Sequence, residues 1–323
     1  MGRSARAFSA LRRRCVCDPG GVLMQSLFGS IRDGRGFDAL LVGFAVAYLF
    51  VFSAFPIVYN VIMSLQSVDL FNLASLDRPF VGLKNYEAVL SDPLALPIFW
   101  NTVKFVVLSI VFQLSIGFGL ALYFRQDFPG AQYLRGLFLA GWIMPALVVG
   151  AVWKWILAGD FGVLNYLMTS LGLIDDPIYW LSNPNYALYS IVIANIWLGI
   201  PFNIILLSVG LAAIPDDIYE AAKLDGAGAL RRFCSITLPL MRAQIGAVTA
   251  LGIIFTLQQF DLIAALTQGG PSNASNVAQY WSWQLSFQTY NLSQGSVVSV
   301  LMILVVIGVA LIYTRSTRHE HVA

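Results

Sequence analysis

Charge is scarce in this chain, and the scarcity excludes most ways of being a soluble protein. Of 323 residues only 11% are Asp, Glu, Lys or Arg, against about 25% in an ordinary soluble domain. Nineteen basic and seventeen acidic groups cannot coat a water-facing surface of that size, so a soluble enzyme and a disordered protein are both excluded. A nucleic-acid partner is not expected either, because it needs a continuous basic face. Histidine is nearly missing: His319 and His321 stand in the last five residues, which leaves no buried imidazole for acid–base or metal chemistry. The four lysines, Lys84, Lys104, Lys154 and Lys223, never follow a glycine, so no Gly-Lys-Ser/Thr loop is present to cradle phosphates. Gly-x-Ser-x-Gly and Gly-x-Gly-x-x-Gly are absent as well. Cys15, Cys17 and Cys234 are an odd set without framework spacing, so no disulfide scaffold is indicated. The Cys15-x-Cys17 pair has no further ligand nearby, and a metal site is not expected. Nothing here makes the chain an enzyme by itself.

What the chain has instead is apolar length. Hydrophobic residues make up 58% of it, and a helix needs roughly 20 of them in a row to cross a bilayer core. Six stretches reach that length, at about 39–66, 103–124, 136–158, 186–212, 243–267 and 295–314. The expected fold class is therefore all-α, a polytopic membrane protein with six transmembrane helices over residues 37–314. Residues 1–36 form an N-terminal segment, expected to be disordered in part, and residues 315–323 a short tail. Residues 1–23 lack a signal-peptide core, and ordinary flanking sequence for the first span begins at Met24. We therefore expect Met24 to be the natural start. Pro56, Pro145 and Pro201 fall inside spans, which is tolerated where neighbouring helices or buried water satisfy the freed carbonyls.

Orientation follows from the placement of lysine and arginine. Fifteen of the nineteen lie in the N-terminal segment, the second loop, the fourth loop or the tail. The alternate loops carry only Arg78 and Lys84, against seven acids. Both termini should face the cytoplasm. Lys104 and Lys154 sit inside predicted spans near their outer ends, where their stems can snorkel to the interface.

The fourth loop, about 213–240, is too patterned to be a connector. Asp217 with Glu220 reads as a capping box, and a short helix should run to about Asp225 and stop at Gly226. A second short helix, 229–235, should end before Leu238-Pro239. Small residues around Gly226 leave the backbone open to a partner's groove. The run Glu220-Ala221-Ala222, three residues, Gly226, nine residues, Ile236-x-Leu238-Pro239 resembles the EAA signature of ABC importer permeases without a mismatch. The flanks, including Ala222 to Ala227 with Asp225, Phe260-Asp-Leu-Ile263 and Leu266-Thr-Gln-Gly-Gly-Pro271, look like the carbohydrate-uptake branch, the maltose- and glycerol-phosphate-type permeases.

That resemblance implies a type I importer permease in a prokaryotic inner membrane. Its partners would be a second homologous permease, a cytoplasmic ATPase dimer that uses ATP and Mg, an extracytoplasmic solute-binding protein and a carbohydrate substrate, all around the lipid bilayer. No cofactor would belong to this chain. Glu220 would contact the ATPase, Ala221 and Ala222 would pack, and Gly226 would permit the turn. A glycerol-phosphate or polyol substrate stays open, as does an ion-coupled secondary transporter, although no internal repeat supports the latter.

For the substrate path, Gln258 and Gln259 offer paired donors and acceptors suited to sugar hydroxyls. They could equally bond neighbouring helices. Asp261 is an intramembrane carboxylate and so a functional candidate, with a structural pair as its expected role because neutral sugars need no charge. Tyr280, Trp283 and Phe287 recur at helix-like spacing in a segment without charge. They read as a short interfacial helix whose aromatics form a belt or a sugar platform. Trp142, Trp153 and Trp155 are expected to be interfacial or packing residues. Asn273 and Asn291 fit glycosylation triplets, which carry no weight in a prokaryotic importer.

Overall fold

In the computed structural model, residues 35–75, 77–126 and 128–318 are described. The lead containing Cys15, Cys17 and Met24 and the tail histidines lie outside them. The chain divides into two units, Met1–Tyr59 and Asn60–Ala323. The first contains helix α1 (Arg35–Leu49) and a five-residue π-turn, Phe50–Ala54, and α2 (Phe55–Ser64) leads on from it. The π-turn stands directly before Pro56 and explains how the helix survives it. Proline cannot donate and its ring crowds the carbonyl four residues back. Here the preceding residue, Phe55, already donates to Phe50 O, five residues back, so the backbone is widened where the ring arrives.

The second unit is helical throughout its regular elements; the one β-bridge among the described residues pairs Gln66 with Phe80. It holds α3 (Lys84–Leu90), α4 (Ala95–Phe124), α5 (Ala131–Ile143), α6 (Ala146–Ile156), α7 (Val163–Ser170) and α8 (Ala187–Ala212). After these come α9 (Asp216–Leu224), α10 (Ala229–Arg232), a π-turn at Phe233–Thr237, and α11 (Leu238–Leu240). Then follow α12 (Arg242–Leu257), α13 (Asp261–Leu266), α14 (Ala278–Trp283), a third π-turn at Gln284–Gln288, and α15 (Leu292–Arg318). Four helical runs are long and apolar enough to cross a bilayer, and the total reaches six if each of two bent pairs is one span.

One bent pair falls at Pro145, a proline read inside the third span, and the other corrects the expected end of a helix. The third span breaks by 100° between Ile143 and Ala146, because Met144 and Pro145 are both extended, with ψ of 131° and 133°, as a residue before proline tends to be. The helix expected at 229–235 does not end before Leu238-Pro239. It continues as α10, π-turn and α11 to Leu240 before a 70° bend into α12. The device is the one seen at Pro56: Leu238 donates to Phe233 O, and Pro239 follows the widened turn.

Burial along α4 departs from that of a soluble helix. Its buried face carries Asn101, Thr102, Ser109, Gln113 and Gly117 among apolar residues such as Ile98 and Phe105, while Val103, Val107, Val111, Phe112 and Ile116 are exposed. Lipid is as apolar as valine, so helices in a membrane associate through close approach and hydrogen bonds. The pairing of α4 with α8 shows this. A Cβ on Gly117 would lie 2.5 Å from Asn203 Cβ, and one on Gly199 would fall 2.3 Å from the Gln113 amide carbon. Pro201 sits inside α8, where Asn203 Nδ2 donates to Gly199 O at 2.9 Å beside the gap in the ladder. We expect Gly117→Val to lower the thermal midpoint of the purified protein, by overpacking worth about 1–3 kcal/mol. Gly119→Val, at a position where an added Cβ meets nothing within 4 Å, should leave it unchanged; equal midpoints for both would refute the packing.

Candidate functional site

The fourth loop forms the helix that its sequence suggests, with a different start. α9 begins at Asp216 behind Pro215, and no side chain caps it, so the capping box expected from Asp217 and Glu220 does not form. Pro215 fixes the first turn instead, and Asp216 and Asp217 place their charge at the positive end of the helix. The C-terminus closes as expected. Gly226 is left-handed at φ +74°, Gly226 N donates to Lys223 O at 3.0 Å and Ala227 N to Ala222 O at 2.9 Å. Those two bonds make a Schellman cap, with Asp225 as the residue before the glycine. Glu220, Ala221, Asp225, Leu238 and Pro239 are exposed, and Ala222 and Ile236 half-buried. Around them Leu224 and Leu230 are 90% and 76% exposed. The helix buries none of its residues.

What ties this helix to the bundle is Arg125, the residue that ends α4. Its guanidinium reaches Asp216 Oδ1 at 2.7 Å and Ile214 O at 3.3 Å, and it lies over the Tyr219 ring, 4.3 Å from the centroid. Asp216 is mostly exposed, so the ion pair alone contributes about 0.2–1 kcal/mol, and the cation–π stack about 0.5–1 kcal/mol. Tyr219 Oη and Thr237 Oγ1 share a hydrogen bond of 2.9 Å. Arg135 of α5 donates to Phe124 O, which brings a second chain segment to the same point.

A second candidate site lies midway along the bundle. The fifth span is interrupted: α12 stops at Leu257, and Gln258, Gln259 and Phe260 are non-helical before α13. Gln258 and Gln259 line a cavity of about 400 Å³ together with Gln113, Trp142, Asn195 and Phe202. Gln113 Nε2 donates to Asn195 O at 2.7 Å. The buried Nδ2 of Asn195 and Nε2 of Gln259 have no hydrogen-bond partner among the described residues, a condition that costs about 1–3 kcal/mol per group. Aromatic rings close the other wall, with Phe202 6.2 Å from Trp142 and 5.3 Å from Phe255. Amide donors facing aromatic rings can hold a ligand that has hydroxyls on its rim and C–H on its faces.

These sites have counterparts in known proteins. Residues 113–319 match the model of the binding-protein-dependent transport system inner membrane component family. The chain belongs to that family. It is 36% identical over 249 residues to the trehalose/maltose transport system permease protein MalF of Thermococcus litoralis, covering 75% of this chain and 81% of the relative. It is 32% identical over 279 residues to the sulfoquinovosyl glycerol transport system permease protein SmoG of Agrobacterium fabrum, covering 86% and 89%. A chain from the crystal structure of a bacterial ABC transporter that imports the acidic polysaccharide alginate superposes with a TM-score of 0.76 at 18% identity, covering 91% of this chain and 99% of the other.

In this permease the other sequence-predicted site residues fall elsewhere. Asp261 does not enter the cavity. It is exposed in the first turn of α13, and no cation pairs with it among the described residues. Tyr280 is buried and Trp283 partly so; both stack on Phe260, at 5.5 and 5.4 Å, away from Gln258 and Gln259. The expected short helix around them is present as α14 and its π-turn. Trp142, expected as an interfacial or packing residue, lines the cavity, whereas Trp153 packs edge-on against Trp197 at 6.5 Å. Lys104 Nζ lies over Trp100, 5.9 Å from its ring centroid. Lys154 is exposed on a cleft of about 750 Å³ that Trp155 and Tyr179 also line. There the Tyr179 hydroxyl donates to Asp160 at 2.8 Å; that bond, with the carboxylate charge and some burial, raises the phenol above its ordinary range. Sequence reasoning missed Gln113 and Asn195, whose only signal was a polar amide inside a long apolar run.

Gly226→Ala places a Cβ in the left-handed region at a cost of about 1–2 kcal/mol and should loosen the end of α9. Asparagine, which tolerates that region, should loosen it less. Trypsin cleavage after the exposed Lys223 is the readout: faster in Gly226→Ala than in Gly226→Asn, and equal rates would show that the cap does not depend on φ.

Proposed function

We propose that this chain is one of two pore-forming permeases of an ATP-driven importer, and that the cavity at Gln113, Asn195, Gln258 and Gln259 holds its carbohydrate cargo in transit. The observation that carries the reading is the cavity itself: two buried amide donors without partners, opposite a wall of Trp142, Phe202 and Phe255. Hydroxyls of a sugar would satisfy the amides while its C–H faces cover the rings. Relatives named for trehalose/maltose and for sulfoquinovosyl glycerol support a carbohydrate, as does a fold neighbour solved with an alginate pentasaccharide-bound periplasmic protein.

ATP is hydrolysed on a separate subunit, since no Gly-Lys pair occurs here. Glu220, Ala221, Ala222 and the exposed Leu224 and Leu230 present the face on which a cytoplasmic ATPase docks, with Asp225, Gly226, Ile236, Leu238 and Pro239 holding that face in shape. Both termini face the cytoplasm on the distribution of basic residues. ATP-driven closure of the ATPase dimer moves the two docked helices together and opens the cavity outward beneath an extracytoplasmic binding protein. Hydrolysis returns it to the inward state. Each ligand acts by differential affinity for the two states.

The test is reconstitution with the second permease, the ATPase and the binding protein, against trehalose, maltose, diacetylchitobiose and alginate oligosaccharide. One of these should stimulate ATP hydrolysis and be taken up only with ATP. Gln259→Ala should cut that uptake about ten-fold or more while the ATPase still co-purifies. Glu220→Arg should lose the co-purification. Uptake by the chain alone, without ATP, would overturn the reading.

A further inference from the structure

We propose that Arg125 is the strut that passes the movement of the coupling helix α9 to α4, and through α4 to the cavity wall. The inference rests on the importer reading above and adds the route within this chain. α9 is joined covalently to α8 through residues 213–215 and to α10 through residues 225–228, and it buries none of its own residues. Links at the two ends carry a pull but leave the helix free to roll about its own axis, so part of the force applied by a docked partner would be lost in rotation. An off-axis tie is needed to fix the angle, and Tyr219, packed against the core and bonded to Thr237 Oγ1 at 2.9 Å, presents the ring on which it is made.

Arg125 supplies that tie in three directions at once. Its guanidinium holds the first residue of α9 through Asp216 at 2.7 Å, the approach to the helix through Ile214 O at 3.3 Å, and the next turn through the Tyr219 ring at 4.3 Å. A planar fork that hydrogen-bonds at its edge and stacks with its face can do all three, and an ammonium cannot. On the bundle side Arg125 continues the α4 helix: its N–H donates to Ala121 O at 3.0 Å. Twelve residues up that helix, about 18 Å along its axis, is Gln113 of the cavity wall. Gln113 bonds to Asn195 O at 2.7 Å, and its amide fills the space above Gly199. The interlock of Gly117 with Asn203 makes α4 and α8 move as one body. Tilt imposed on α9 at Arg125 therefore displaces both amide-bearing walls of the cavity.

Arg125 is thus a positioning residue, and the readout must be movement, since a merely structural role would leave movement intact. We would place a bimane label on Gln258→Cys, at the exposed lip of the cavity, in full-length chain with Cys15, Cys17 and Cys234 changed to Ser. The label is read in the assembled importer on adding ATP with vanadate, so no sugar is needed. In Arg125→Ala the ATPase should co-purify and hydrolyse ATP at the basal rate, while the vanadate-driven emission shift falls at least three-fold; Arg125→Lys should fall between Ala and wild type. A full shift in Arg125→Ala would overturn the proposal. Should Arg125→Ala fail to assemble, Tyr219→Leu decides: assembly with a reduced shift supports the strut, and assembly with a full shift, or failure to assemble, overturns it. No shift in the wild-type complex would instead sink the importer reading.

Discussion

A backbone N–H or C=O placed in hydrocarbon must find its partner inside the protein, and the irregular features of this chain are arranged around that constraint. At two of the prolines that enter a helix the preceding turn widens, so that Phe55 and Leu238 bond five residues back just before Pro56 and Pro239. Where the helix breaks outright, at Met144-Pro145 and at Gln258–Phe260, the two breaks meet at one place. Met144, Ala146, Gln258 and Gln259 all line the same cavity. Irregular backbone at membrane depth is tolerated where it borders a polar space, and the cavity is that space. The breaks and the cavity therefore account for each other.

The same constraint explains why the exposed faces are apolar and polar groups stand inside. The inner face of α4 carries amides, hydroxyls and Gly117 among residues such as Ile98 and Phe105, and its exposed face carries valines and Phe112. Polar groups inside find partners: Asn101 Nδ2 donates to Ala274 O at 3.1 Å, and Thr102 Oγ1 accepts from Ala278 N at 2.8 Å. These bonds pin the loop after α13 to the N-terminal end of α4. Four buried polar atoms among the described residues lack a partner, Ser109 Oγ, Asn276 Oδ1, Asn195 Nδ2 and Gln259 Nε2, and the two amide donors among them stand where a cargo would pass.

Much of this was legible in the residues. Apolar length marked the spans, and Gly226 announced the end of α9 because only a residue at ease with positive φ closes a helix that way. The start of α9 was misread because a capping box assumes a free approach to the helix, and Pro215 had already set it. The break at Gln258 was invisible because no proline or glycine stands there; Phe260 stacks on Tyr280 and Trp283 instead, a tertiary contact that no local pattern encodes. Gln113 and Asn195 were missed for a related reason. In a helix apolar on every side, periodicity does not say which face is inward, and only the partner helix decides it.

The proposed coupling helix, α9, follows a different economy from the spans. It fully buries none of its residues, and Tyr219 packs only partly against the core, so tertiary packing, the usual source of helix stability, contributes little. Local terms add to it: two aspartates at its start, Lys223 in its last turn, and the Schellman bonds at Gly226. A helix formed before its partner arrives loses little conformational freedom on docking, which leaves more of the contact energy for binding. It also arrives with its shape fixed, so displacement of the partner becomes displacement of the helix and is not absorbed by folding. The short length and weak burial of α9 are what a detachable coupling element needs, provided that its angle to the bundle is held elsewhere, at Arg125.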